Sequence, residues 1–194
     1  MASVTTSPES KPSSGISIRT RKMTLVACLA TLSIVGRIYM AGVPNVQPST
    51  MIIICTSLVF GVRFGLTLAF LTVVGSNMVL GFGTFAIMQT IAWGSVAIVS
   101  GLLGKREFYK KIPHVIMACF AGFSGFIFGF FVSLDMLVIG GVKGFWIYYL
   151  RGIPFDIYHA VGNFMFYIIL APILIKLIST QKAKIYGGQL TKEH

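Results

Sequence analysis

The chain has 194 residues, of which 55% are hydrophobic and only 11% charged, with a formal net charge of +11. A soluble domain carries about 25% charged residues, so this chain cannot cover a water-facing surface and lipid must be its solvent. The basic excess does not point to nucleic acid, because Lys and Arg flank apolar runs instead of forming one patch; such placement orients a membrane protein and meets anionic headgroups.

In chain order, the first 17 residues are rich in Ser, Thr and Pro. With Arg19, Arg21 and Lys22 they are expected to form a disordered basic cytoplasmic tail over residues 1–22. They do not have the pattern of a signal peptide, since the first apolar run follows the basic cluster and lacks a clean small-residue cleavage site. Residues 23–41 read as the first span, about 28 Å of helix. The segment 42–50, with Pro44, Asn45, Gln47 and Pro48, cannot continue it.

The next apolar run, 51–80, would be about 45 Å long as one helix, well beyond a hydrocarbon core of about 30 Å. It contains Gly61-Val62-Arg63-Phe64-Gly65, two glycines around its only charge, and is expected to divide there into two short spans. Charge supports the division: it alone places the N-terminal tail, Arg63, the Lys105–Lys111 cluster and the Lys-bearing C-terminus on one side of the membrane. Residues 81–84 form an external turn, 85–103 a fourth span and 104–111 a cytoplasmic loop. A fifth span covers 112–134, an external segment with Trp146, Tyr148 and Tyr149 covers 135–154, and a sixth span covers 155–178. The expectation is an all-α membrane protein: a six-helix transmembrane bundle over 23–178, both termini cytoplasmic, with a C-terminal tail over 179–194. No internal repeat is visible.

Polar residues out of place in lipid collect towards the external side. They are Arg37 in the first span; Asn45 and Gln47 in the first loop; Asn77, Gln89 and Trp93 around the third and fourth spans; and Asp156, Tyr158, His159 and Asn163 at the start of the sixth. An uncompensated ionisable group in hydrocarbon costs at least about 2.5–3.5 kcal/mol. Asp156, His159 and Asn163 share one helical face and should point into the bundle. Together these residues outline a substrate-binding pocket open to the outside, whose blander alternative is helix capping, mutual pairing or headgroup contact. Trp93 and Tyr158 are expected to supply apolar walls.

Cys28, Cys55 and Cys119 all lie in apolar stretches, and no spacing of Cys or His indicates a metal site. No P-loop, HExxH or GxSxG motif is present. No catalytic residue and no cofactor is therefore expected, and active uptake would draw its energy from another subunit. Small residues recur at four-residue spacing on the fifth span, as Ala121, Gly125 and Gly129, which permits close helix approach. Ala27 and Thr31 make a similar face on the first span.

Six short spans, a Pro-bearing first external loop and the absence of an ATPase motif resemble the substrate-binding S component of an energy-coupling factor (ECF) vitamin transporter. The string Arg37-Ile38, Pro44-Asn45-Val46-Gln47-Pro48, Phe60-Gly61, Gly65, Gly81-Phe82-Gly83, Gln89 and Trp93-Gly94 is similar to the cobalamin-specific, CbrT-like group. The resemblance covers residues 23–178 and implies a bacterial multi-pass protein of the cell membrane. Such a protein captures a corrinoid from outside and delivers it inward with a transmembrane T subunit and two cytoplasmic ATPases. It also implies that Ala27 and Thr31 dock the T subunit, Thr31 standing where the family has Ala. Other readings are an S component for another bulky heterocycle, such as a flavin or deazapurine, or a small integral membrane enzyme.

Overall fold

The computed structural model describes residues 18–187; the expected disorder of residues 1–17 and the tail residues 188–194 lie outside the described residues. Six α-helices follow in order: α1 (Ile18–Tyr39), α2 (Ser49–Phe60), α3 (Val62–Leu80), α4 (Phe85–Leu103), α5 (His114–Ser133) and α6 (Asp135–Gly187). A 3-10 segment, Lys105–Lys111, joins α4 to α5. No strand occurs among the described residues.

The long run 51–80 divides at Gly61, which adopts φ 89° and ψ 178°. That left-handed backbone suits glycine, which has no Cβ to clash, and it ends α2. Five helices are long and apolar enough to cross a membrane, and α2 is shorter, at 12 residues. Its length of about 18 Å is less than a hydrocarbon core of about 30 Å, yet α2 runs from the α1–α2 loop at one end of the bundle to Val59, beside Lys182, at the other. It is apolar all round, the signature of a helix enclosed on every side: every residue from Ser49 to Val59 is buried. It packs against α1, α3, α4 and α6 as the bundle's central post.

The largest departure from expectation lies in α6. Residues 135–154, expected as a separate external segment, are helical and continuous with the sixth span. The helix breaks at Gly141 (φ 61°, ψ −165°) and then runs through both Pro154 and Pro172. Proline removes one backbone hydrogen bond and costs about 3 kcal/mol in a helix interior. Here aromatic packing works against the break: Phe145 and Tyr149 stand at 5.8 and 5.9 Å from the ring of Phe130 on α5. The helix also continues past residue 178, and α1 begins before residue 23, so the expected tail boundaries fall within helices. In both places the terminal turns pack on each other. Lys22 Nζ lies 4.5 Å from the centre of the Tyr186 ring, and Arg21 Nη1 donates to the Lys184 carbonyl at 3.4 Å.

Those contacts bring the basic clusters together at one end of the bundle. Lys182 Nζ donates to the Val59 carbonyl, at the end of α2, at 2.6 Å. Lys22 and Arg63 line one groove there, and Glu107, Lys182 and Tyr186 another. Glu107 lies outside the helices that cross, exposed, and its 2.7 Å hydrogen bond from Lys110 holds its carboxyl below the usual value. The opposite end carries the α1–α2 loop, the turn between α3 and α4, and the α5–α6 junction. There Thr84 Oγ1 donates to Asp135 at 2.6 Å and ties two of these connections together.

A two-lobed recess at the end away from the basic clusters

Two recesses adjoin at that opposite end and share Asn45, Gln89 and Phe128 in their walls. The larger, about 430 Å³, lies between α5 and α6 and is lined by Gly129, Val132, Ser133, Tyr148, Arg151, Gly152, Phe155 and Asp156 as well. The smaller, about 290 Å³, is bounded by Arg37, by residues 40–41 and 43–47, and by Leu80. The α1–α2 loop forms its wall because two prolines forbid helix, and Asn45 takes φ 59° there, a left-handed turn that Asn tolerates better than most residues.

Five of the expected site residues therefore border the recesses: Arg37, Asn45, Gln47, Gln89 and Asp156. Four lie behind that wall. Asn77 is buried and donates through Nδ2 to Gln89 Oε1 at 3.0 Å, fixing which way the Gln89 amide turns. Trp93 is fully buried beneath the recesses. Its indole N–H donates to Thr50 Oγ1 at 3.1 Å, and Thr50 Oγ1 meets His159 Nε2 at 3.2 Å. Since indole can only donate, Thr50 accepts from Trp93, and the same hydroxyl joins the indole to the imidazole. Phe128 closes the group, 4.8 Å from the Trp93 ring and edge-on to His159 at 5.0 Å.

Tyr158 is the exception. It lies 56% exposed on the outer face of α6, beside Val161, Met165 and Ile169, and not against either recess. Asp156 and Tyr158 are two residues apart, roughly 200° around a helix, so a face that turns Asp156 inward turns Tyr158 out.

Asp156 owes its place to Gly129. A Cβ at Gly129 would stand 2.0–2.2 Å from the Asp156 carboxylate, so the absence of a side chain there is what leaves the carboxylate its room. One turn deeper, a Cβ at Gly125 would come within 2.7 Å of the Ala160 backbone nitrogen. The small-residue ridge of α5 is thus the surface on which the polar face of α6 lies.

That polar face is incompletely satisfied. Asp156 Oδ2, His159 Nδ1 and both amide atoms of Asn163 are buried and have no hydrogen-bond partner among the described residues, and Asn77 Oδ1 shares this condition. Buried polar atoms are nearly always paired, with protein, water or ligand. The stripe from the larger recess into the core is therefore chemically suited to ordered water or to polar groups of a bound molecule. Among the described residues no group of three or more His, Cys, Asp or Glu side chains comes together to hold a metal ion.

A second polar line fastens α1 to α3 and α2. Arg37 Nη1 donates to Ser76 Oγ at 2.7 Å, Thr72 Oγ1 to Ser33 Oγ at 3.0 Å, and Ser49 Oγ to the Ser33 carbonyl at 3.2 Å. The expected docking pair lies on the outer side of α1. Ala27 and Thr31 are both exposed, and Thr31 Oγ1 bonds back to the Ala27 carbonyl at 2.9 Å. Ala27 borders an apolar groove with Val26, Phe64 and Leu71. Of the cysteines, Cys55 is buried while Cys28 and Cys119 are exposed.

Reading the residues alone missed Phe128, Ser133 and Tyr148 in the walls. The available signal was the α5 glycine ridge, which had to lie against the α6 polar face for both to be buried.

Compared with known protein families, residues 21–171 match the model described as ECF transporter, substrate-specific component. No curated protein and no solved structure matches the chain. A multi-helix membrane bundle with a polar-walled recess at one end accords with that match, which spans well over half of the residues, and the chain belongs to the family of ECF transporter substrate-specific components.

Proposed function

We propose that this chain captures a corrinoid, cobalamin or a close relative, in the two-lobed recess on the outer side of a bacterial cell membrane. Its family comprises transport subunits, not enzymes, which retires the reading as a small membrane enzyme, and implies association with T and ATPase modules. The observation that carries the proposal is the recess itself. It opens at the end away from the basic clusters, and three amide side chains, Asn45, Gln47 and Gln89, stand in its walls. Amides both donate and accept, which matches the amide-rich rim of a corrinoid, while Phe128, Val132 and Phe155 offer the apolar surface that ligand sites usually present.

The positive-inside rule puts the basic end, and with it both termini, in the cytoplasm. In this reading residues 23–178 form the membrane domain. Asn77, Trp93, His159 and Asn163 support the site from behind, Tyr158 faces lipid, and Ala27 with Thr31 meets the T subunit. Two ATPases then supply the energy.

A second reading, a smaller heterocycle such as a flavin or deazapurine, draws support from the recess volumes of about 430 and 290 Å³, since sites for drug-sized ligands run from about 300 to 1,000 Å³. Equilibrium binding of the purified full chain to a vitamin panel decides between them. Tight binding of cobalamin over riboflavin and deazapurines is expected; binding of a flavin or deazapurine with none of cobalamin would overturn the corrinoid assignment.

A further inference from the structure

Arg37 carries a charge for which the described part of the chain offers no counterion. The only ion pair among the described residues is Lys110 with Glu107, at the other end of the bundle. Arg37 is 9% exposed, so its head group does not reach out to lipid phosphates. Among the described residues its guanidinium has one hydrogen-bond acceptor, the neutral Ser76 hydroxyl at 2.7 Å, and its Cζ lies over the Trp93 ring, 5.1 Å from the ring centre. A guanidinium has five N–H donors in a rigid fork. Held from one side by Ser76 and covered by Trp93, it presents the remainder to the smaller recess, which it lines. A charge at membrane depth without a partner is costly and marks a functional site by default.

We infer that Arg37 is the anion-recognition residue of this site: the transported molecule carries a phosphate or carboxylate that enters the smaller recess against the guanidinium. This inference rests on the reading that the recesses hold the transported molecule. The charges assign the orientation as well. Asp156 lines the larger recess with one carboxylate oxygen unpartnered, which repels an anion there and favours amide or amine N–H groups. Arg151 also borders the larger recess, but its side chain is exposed, whereas Arg37 is buried. For a corrinoid, the phosphodiester of the nucleotide loop would meet Arg37 and the amide side chains of the ring would meet Asp156.

The test compares matched ligands that differ in the anionic group, using the purified full chain: cobalamin against cobinamide, which lacks the nucleotide loop and its phosphodiester, and riboflavin 5′-phosphate against riboflavin. Hydrogen bonds to charged groups set the expected scale. The phosphate-bearing member of the pair that binds should bind about 10- to 100-fold more tightly. Arg37→Gln should abolish that preference, and Arg37→Lys should retain part of it. Because the wild-type comparison needs no variant, a misfolded Arg37→Gln protein does not remove the test.

Equal binding of both members by the wild-type chain overturns the anion site and leaves the corrinoid proposal standing. Equal weakening of both members by Arg37→Gln also overturns it, by showing a merely structural role. If neither corrinoid binds, the corrinoid proposal fails, and the flavin pair then decides the role of Arg37 by the same criteria. Binding of neither pair overturns both.

Discussion

Two glycines one turn apart on α5 should respond to the same substitution in opposite ways. At Gly125, an added methyl would stand 2.7 Å from the Ala160 nitrogen and 3.0 Å from the Ala160 Cα and the His159 carbonyl carbon. These are backbone atoms, so α5 and α6 must move apart. Overpacking of this kind costs about 1–3 kcal/mol, against which alanine's better helix propensity returns about 0.5–1 kcal/mol. At Gly129, the methyl would meet the Asp156 carboxylate at 2.0–2.2 Å. That is the far end of a side chain with two rotatable bonds, bordering an open recess. The carboxylate can swing away with little strain on the fold, but it leaves the position from which it faces the larger recess. Gly125→Ala should therefore lower the midpoint of thermal unfolding by several degrees. Gly129→Ala should leave the midpoint nearly unchanged and weaken ligand binding by about 1–3 kcal/mol, or roughly 5- to 100-fold. Thermal unfolding of the detergent-solubilised protein and calorimetric titration with the ligand that the binding panel identifies measure the two quantities separately. Equal loss of stability in both variants would refute the view that Asp156 is a movable wall of the recess, and an unaffected Gly125→Ala would refute the tight α5–α6 crossing.

Thr50→Val should destabilise the chain by about 1–3 kcal/mol, because it strands the Trp93 indole N–H and His159 Nε2 in a buried setting at once; a denaturation midpoint equal to wild type would contradict that network. A cysteine placed at Glu107, exposed in the 3-10 segment, should react with a membrane-impermeant thiol reagent only after the membrane is opened, and labelling in intact cells would reverse the proposed sidedness. That experiment needs a background lacking Cys28 and Cys119, which are exposed. Replacing Ala27 and Thr31 with Leu should impair co-purification with the T subunit while leaving ligand affinity intact, since neither residue borders the recesses; unchanged co-purification would remove that face from consideration.

The sequence by itself determined that the chain is built of apolar helices, that the run 51–80 divides at Gly61, and that the basic clusters collect at one end. These properties are local. Each segment meets lipid or headgroup according to its own hydropathy and charge, and a glycine pair around an arginine marks a boundary whatever packs nearby. The Asp156, His159 and Asn163 face was legible for a related reason: polar atoms on a lipid-bathed helix must turn inward. The tertiary structure decided the rest. Lipid and protein interior are both apolar, so an apolar helix carries little record of which side faces which. Hence Tyr158 read as a pocket wall and lies outside it, while Phe128 and Ser133 gave no sign of lining the site. Nor could the helical course of α6 through Pro154 be read locally, since it accompanies aromatic contacts between Phe130 and the Phe145–Tyr149 turn. The pairing of α5 with α6, through glycines that admit the Asp156 carboxylate, turns a polar stripe into the wall of a recess.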